Sequence, residues 1–281
     1  MLTPADWEVV DRHHIGPFIT SMVLRRPDGT RVIFTAWRHR KGHGLLSSTT
    51  RERIAAVPWW APQRRGWWIA VLFMIGSSCF ALGSVPAFAS AVGGAVVWVF
   101  FVGSIFFTSA AYLQYFEASN EGDDIRGTAR TRRPLGLRLS SLGWWAASSQ
   151  LLGTLWFNLT TFAGTRADLD LVQQQVLVWA PDAIGSVLFL VASAFAIMEV
   201  SNGLQRGWRP SLESAIAWIN MVGSIAFGIS AIAAFIDPND GELLNVAAAN
   251  AFTLLGAVCF FVGALMLLPD MGRAGEPEAA T

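Results

Sequence analysis

FFVGSIFFTSAAYLQYFEA, residues 100–118, sets Gly103, Ser104, Phe107 and Ala110 in a fixed order inside an otherwise apolar run. A hydrocarbon core of about 30 Å takes roughly 20 apolar residues per helix, so the run reads as most of one membrane span. The same order recurs in five further apolar runs. They carry Gly76, Ser77, Phe80, Gly83; Gly153, Thr154, Phe157, Thr160; Gly185, Ser186, Phe189, Ala192; Gly223, Ser224, Phe227, Ser230; and Gly256, Ala257, Phe260, Gly263. At about 100° per residue, the glycine, the phenylalanine four on and the small residue seven on fall within about 60° of one another. Each helix would therefore show one small–aromatic–small stripe. Small residues let helix backbones approach closely, which drives packing where lipid removes the hydrophobic incentive.

Composition agrees with a membrane setting. The chain is 53% hydrophobic and 14% charged, about half the charge of a soluble domain. Six runs are long enough to span: 67–89, 92–117, 143–163, 177–199, 212–236 and 244–268. Short links pair them as hairpins 67–117, 143–199 and 212–268. The fold class expected is an all-α polytopic membrane domain over 67–270, behind an N-terminal head over 1–66 and before a polar, disordered tail over 271–281. No apolar core of signal-peptide length precedes Trp67, so insertion is expected to rely on the spans themselves. Cys79 and Cys259 both lie inside apolar runs, which suits buried thiols better than a disulfide.

Basic residues orient the chain. Of twenty Lys and Arg, Arg166 alone falls on one side of the expected spans, whereas the outer loops carry Asp168, Asp170, Asp237, Asp240 and Glu242. The positive-inside rule then puts both termini in the cytoplasm, with the plasma membrane as the location. Trp67, Trp68, Trp144 and Trp145 at one set of span ends, and Trp98 and Trp179 at the other, suit interfacial anchoring.

Helices two, four and six each place an acid fourteen residues after the motif glycine: Glu117, Glu199 and Asp270. With the glycine steps of 70–82 residues, this makes the unit a two-helix hairpin present three times. Two-helix units with G-S-x-x-F in both arms resemble the YrhK-like membrane family. The resemblance spans 67–270 as three divergent copies and implies a membrane location and a hairpin repeat, with no catalytic residue to carry over.

An acid at a helix C-terminus opposes the helix dipole, so something must offset it. Arg65, Arg138 and Arg209 near the starts of the odd helices could form ion pairs with the three acids; an acidic ring at a pore mouth is the rival reading. Asp182, behind Pro181, reads as an acid one turn inside the fourth span, either reaching the interface or holding a cation or proton. Gln150, Asn158, Asn220 and Asn250 add amides at helical depth, for hydrogen bonds between helices or for contact with a solute.

The head reads as a β-hairpin, FITSMVL (18–24) and RVIFTAW (31–37) about Pro27-Asp28-Gly29, with a short helix near Pro4–Val10. His13, His14, His39 and His43 have no supporting Cys or carboxylate pattern and lie among cations, so no metal or other cofactor is expected. Arg38, Arg40, Lys41, Arg51 and Arg53 are expected to face anionic lipid headgroups, and no nucleic-acid motif accompanies them. A homo-oligomer is left open. The spans and outer loops show no nucleophile–base pair, metal cluster or phosphate loop, which argues against an enzyme. Transport of a small solute or ion leads narrowly over a non-transporting scaffold or sensor whose head binds a partner or lipid. The absence of a broken helix from the sequence reading counts against transport.

Overall fold

The computed structural model describes residues 6–43, 45–47, 60–121, 133–201, 211–239 and 241–270, with the side chains of 46, 47 and 270 outside the description. The tail, Arg51, Arg53, Arg209 and Asp240 lie outside the described residues.

The head is larger than the expected hairpin. Strands β1 (Glu8–Ile15), β2 (Phe18–Arg25), β3 (Arg31–Thr35) and the two-residue β4 (Leu46–Ser47) form one antiparallel sheet in that order. The β2–β3 turn falls where Pro27-Asp28-Gly29 places it. Gly29 adopts φ 81°, the left-handed conformation a side chain resists, and the Asp28 carboxylate accepts from the Thr30 N–H at 2.8 Å. Alternation along β2 and β3 buries Met22, Leu24, Val32 and Phe34 on one face. Of the helix expected near Pro4–Val10, Glu8–Val10 instead begin β1, where pairing with β2 supplies the backbone partners, and Pro4 and Ala5 lie outside the described residues.

Helix α1 (Ala36–Arg40) follows β3 directly, its first turn capped by the Thr35 hydroxyl. Six long helices follow among the described residues. They are α2 (Arg65–Gly83), α4 (Val96–Ser119), α5 (Leu142–Ala163), α7 (Ala180–Val200), α8 (Leu212–Ala233) and α9 (Val246–Asp270). Between α2 and α4 lies α3 (Pro86–Val92), so the first expected run, 67–89, ends early: the chain breaks at Ser84 and Val85, and Pro86 starts a new helix. Before α7 lies the one-turn α6 (Leu171–Gln174).

Five helical stretches are long and apolar enough to cross a membrane: those ending α2, α4, α7, α8 and α9. Helix α5 is long enough at 22 residues, but Ser148, Ser149, Gln150, Thr154 and Asn158 lower its apolarity.

The six long helices close into a ring. Helix α2 packs on α4, α4 on α5, α5 on α7, α7 on α8, α8 on α9, and α9 on α2 again. Within each sequential pair the motif glycines meet. A Cβ on Gly76 would lie 2.6 Å from the Phe107 ring and 2.9 Å from the Gly103 carbonyl oxygen. The matching distances are 2.7 and 3.1 Å for Gly153 against Phe189 and Gly185, and 2.7 and 3.0 Å for Gly256 against Phe227 and Gly223. In each pair a ring from one helix therefore lies over the bare glycine of its partner.

The seams between pairs use the motif hydroxyls instead. Ser104 bonds Thr161 at 2.9 Å across α4 and α5, and Ser193 bonds Ser224 at 2.8 Å across α7 and α8. At the α9–α2 seam Ala257 replaces the hydroxyl, and the buried Ser77 Oγ has no partner among the described residues. Outward, Ile75, Val102, Leu155, Val187, Ile225 and Val258 are exposed, an apolar belt that suits lipid contact. Helix α5 contributes to that belt like its neighbours.

Candidate functional site

The stripe phenylalanines all point to the ring axis, where they form two layers. Phe80, Phe157 and Phe227 are mutually within 5.9–6.4 Å between centroids. Phe107, Phe189 and Phe260 are within 5.4–6.4 Å. Edge-on contacts within each layer give the geometry in which aromatic quadrupoles attract. Helix direction puts the first layer nearer the far end of the ring and the second nearer the head. Together they plug the axis.

Beyond the plug, toward the far end, lies a cavity of about 290 Å³ to which all six long helices contribute. Its floor is Phe80, Phe157 and Phe227, and its wall includes Asp182 and Asn250. Neither Asp182 nor Asn250 makes a hydrogen bond or ion pair among the described residues. The hydroxyls around them are already committed. Thr160 donates to the Val178 carbonyl at 2.5 Å, Thr161 to the Phe157 carbonyl at 2.6 Å, and Ser230 to the Ala249 carbonyl at 2.8 Å.

Asp182 is set deeper than the sequence reading placed it. The apolar helical stretch that ends in α7 starts at Leu171, capped by Asp170, and runs to Val200, so Asp182 lies about three turns from its start. Pro181 therefore falls inside a helix, where it lacks an N–H and its ring crowds the preceding turn. The chain answers with a π-helical turn over Gln175–Trp179 immediately upstream. This π turn is an irregularity that the sequence does not announce, and Thr160 hydrogen-bonds a carbonyl within it. Trp179 and Gln175 fasten the same turn to the end of α8 and the loop after it, donating to the Ala231 and Ile236 carbonyls at 2.9 Å each.

The opposite end is closed by the head. Helix α1 packs on α4, α5 and α7, and buries Trp37 in the ring's own apolar core. Arg40, 2% exposed, donates to Gln114 Oε1 at 3.1 Å and to Glu199 Oε2 at 2.6 Å. It thereby ties α4 to α7. Its guanidinium also lies 5.0 Å from the Trp37 ring, a cation–π distance. Arg38 and Lys41 are buried as well, so the lipid-facing role expected for Arg38, Arg40 and Lys41 does not hold: Arg40 pairs with Glu199, Arg38 lies 3.8 Å from Glu213, and Lys41 stands 5.0 Å over the Trp37 ring. Gly42, at φ 72°, and Gly66 let the two backbones touch: a Cβ on Gly42 would stand 2.7 Å from the Gly66 nitrogen.

The three repeated acids part company. Glu117 pairs with Arg65 inside its own helix pair, where the expected ion pairs would have tied each hairpin to its neighbour. Glu199 pairs with Arg40 from the head, and the side chain of Asp270 lies outside the described residues. Arg138 instead donates to the Ser119 carbonyl at 3.1 Å. Glu121, just past the end of α4, was not anticipated. Burial holds its carboxyl above the usual range, opposed by the nearby His39 charge and by the hydrogen bond that Ser141 donates.

Of the five amide and acid candidates, Asp182 and Asn250 meet in the cavity. Asn220 packs against Gly263, whose absent side chain makes room for it. Gln150 and Asn158 do not line the cavity. His13 pairs with Asp11 at 3.2 Å on β1, while His39 is buried beside Phe34, and no group of three metal-ligating side chains gathers among the described residues. Compared with protein-family profiles, curated proteins and solved structures, the chain matches none.

Proposed function

We propose that the protein is a six-span ring, built of three two-helix units with both termini cytoplasmic, that passes a small solute or ion along its axis and is held closed in this form. Support for a sixth span comes from the lipid-type exposure of Leu152, Leu155, Leu159 and Phe162 on α5. Support for a threefold unit, and for kinship with YrhK-like proteins, comes from the glycine–phenylalanine contact found in each pair. The observation that carries the permeation reading is the axial cavity, which Asp182 and Asn250 both line beside a π-helical turn. Irregular backbone at membrane depth is tolerated where it lines a cavity, and solute sites of transporters are built there.

A scaffold or sensor is the second reading, favoured by the head's sheet being tied directly to the ring through Arg40, which would pass an event at the head to the helices. Flux separates the two. In proteoliposomes the triple variant F157A/F189A/R40M, which opens both Phe layers and loosens the head, should raise solute or potassium leak at least tenfold over the wild type. If the folded variant and the wild type both match empty vesicles, the axis is no pathway and the scaffold reading stands.

A further inference from the structure

We infer that the far-end cavity is a binding site for a small organic ammonium ion, an alkylamine or quaternary amine. The inference rests on the permeation reading for the ligand's onward path, and on the cavity's own chemistry for its identity.

Three observations narrow the ligand. The first is charge. Asp182 is the one ionisable side chain among the cavity's lining residues, and among the described residues it has no ion-pair partner. An unpaired carboxylate at membrane depth is costly unless it meets a cation. The second is polarity. Beside Asp182 the lining's side chains offer the Asn250 amide and the hydroxyls of Thr160, Thr161, Ser230 and Thr253, and none of them carries a second charge. The site therefore balances one positive charge, which argues against a dehydrated divalent metal ion and suits one ammonium head.

The third is the remaining surface. Phe80, Phe100, Phe157 and Phe227 bound the same space. Ring faces attract cations and bury hydrocarbon together, which is how aromatic cages hold quaternary amines. A carboxylate on one wall and phenyl rings on the floor fit a ligand with one charged and one greasy end. At about 290 Å³ the space stands at the small end of ligand pockets, roughly 300 Å³. That suits a cation of a few carbons and excludes large amphiphiles.

Isothermal titration of the full-length protein in detergent tests this, with n-butylammonium, tetramethylammonium and sodium chloride as separate titrants. At least one organic cation should bind saturably and sodium should not. Asp182→Asn, close in shape, should weaken that binding at least tenfold with an unchanged melting temperature, and Asn250→Ala on a different helix should weaken it severalfold. Saturable sodium binding, no binding of either ammonium ion, or full affinity in both variants would overturn the site. Flux is read independently: metal-ion leak without ammonium binding sinks the ligand and leaves the pathway, whereas ammonium binding without flux does the reverse.

Discussion

The two ends of the ring each hold a buried acid, and treat it oppositely. At the head end Glu199 receives a guanidinium from another part of the chain, with Gln114 completing the cluster. At the far end Asp182 receives nothing from the described residues and faces a cavity. The same fold therefore spends one acid on closure and keeps another available. A satisfied buried ion pair holds parts together, while an unsatisfied one marks a place for a ligand.

The largest break in this comparison comes from Arg40. Arg40→Met keeps the stem but leaves Glu199 buried without its counter-charge, which should cost about 3–5 kcal/mol. In detergent the melting temperature should fall by several degrees, and the head should become susceptible to limited proteolysis at conditions where the wild type resists. No comparable loss is expected from Asp182→Asn, since no partner is stranded.

How far the sequence led differs between these ends for a physical reason. The six-helix stripe was legible because helical spacing maps directly onto a face, and Gly76, Gly153 and Gly223 meet their partners on that face. The Phe plug follows from the same residues once the ring closes. The Arg65–Glu117 pair was within reach because its partners sit on neighbouring helices. Arg40–Glu199 was not, for its members lie 159 positions apart and no spacing rule connects the short head helix α1 to the end of α7. Asp182 was seen, yet misplaced by depth, because Pro181 reads equally well as a helix start and as a mid-helix break. The π turn that decides between them leaves no residue signature before Pro181 itself.

A smaller effect sharpens the role of the pairs that connect the two ends. Gly76→Ala would drive its methyl to 2.6 Å from Phe107 and 2.9 Å from a backbone oxygen, whereas Gly223→Ala finds its nearest atom at 3.0 Å. Overpacking of the first kind should cost about 1–3 kcal/mol, and the second should cost less. Equal losses in thermal melts would mean that the ring over Gly76 yields as readily as the contact at Gly223.

The smallest effect concerns the pH response of the head seat. Burial raises the Glu121 carboxyl, with His39, Arg138 and Glu199 facing it and Ser141 donating to it. As pH rises through the ordinary carboxylate range, the unfolded chain loses this proton before the folded one does. The folded state then binds more protons, so stability falls with rising pH until the buried carboxyl also ionises. Glu121→Gln should remove that part of the decline, giving a flatter melting-temperature profile from pH 4 upward than the wild type.

The central claim is that Arg40 and Glu199 close one end of the ring as a unit. A double-mutant cycle with Arg40→Met, Glu199→Gln and both together tests it, read as unfolding free energy in detergent. The account predicts strong coupling: the double variant should be more stable than Arg40→Met alone and recover at least about 1 kcal/mol of its loss. Additive losses, with the double variant as unstable as the two single changes combined, would contradict it.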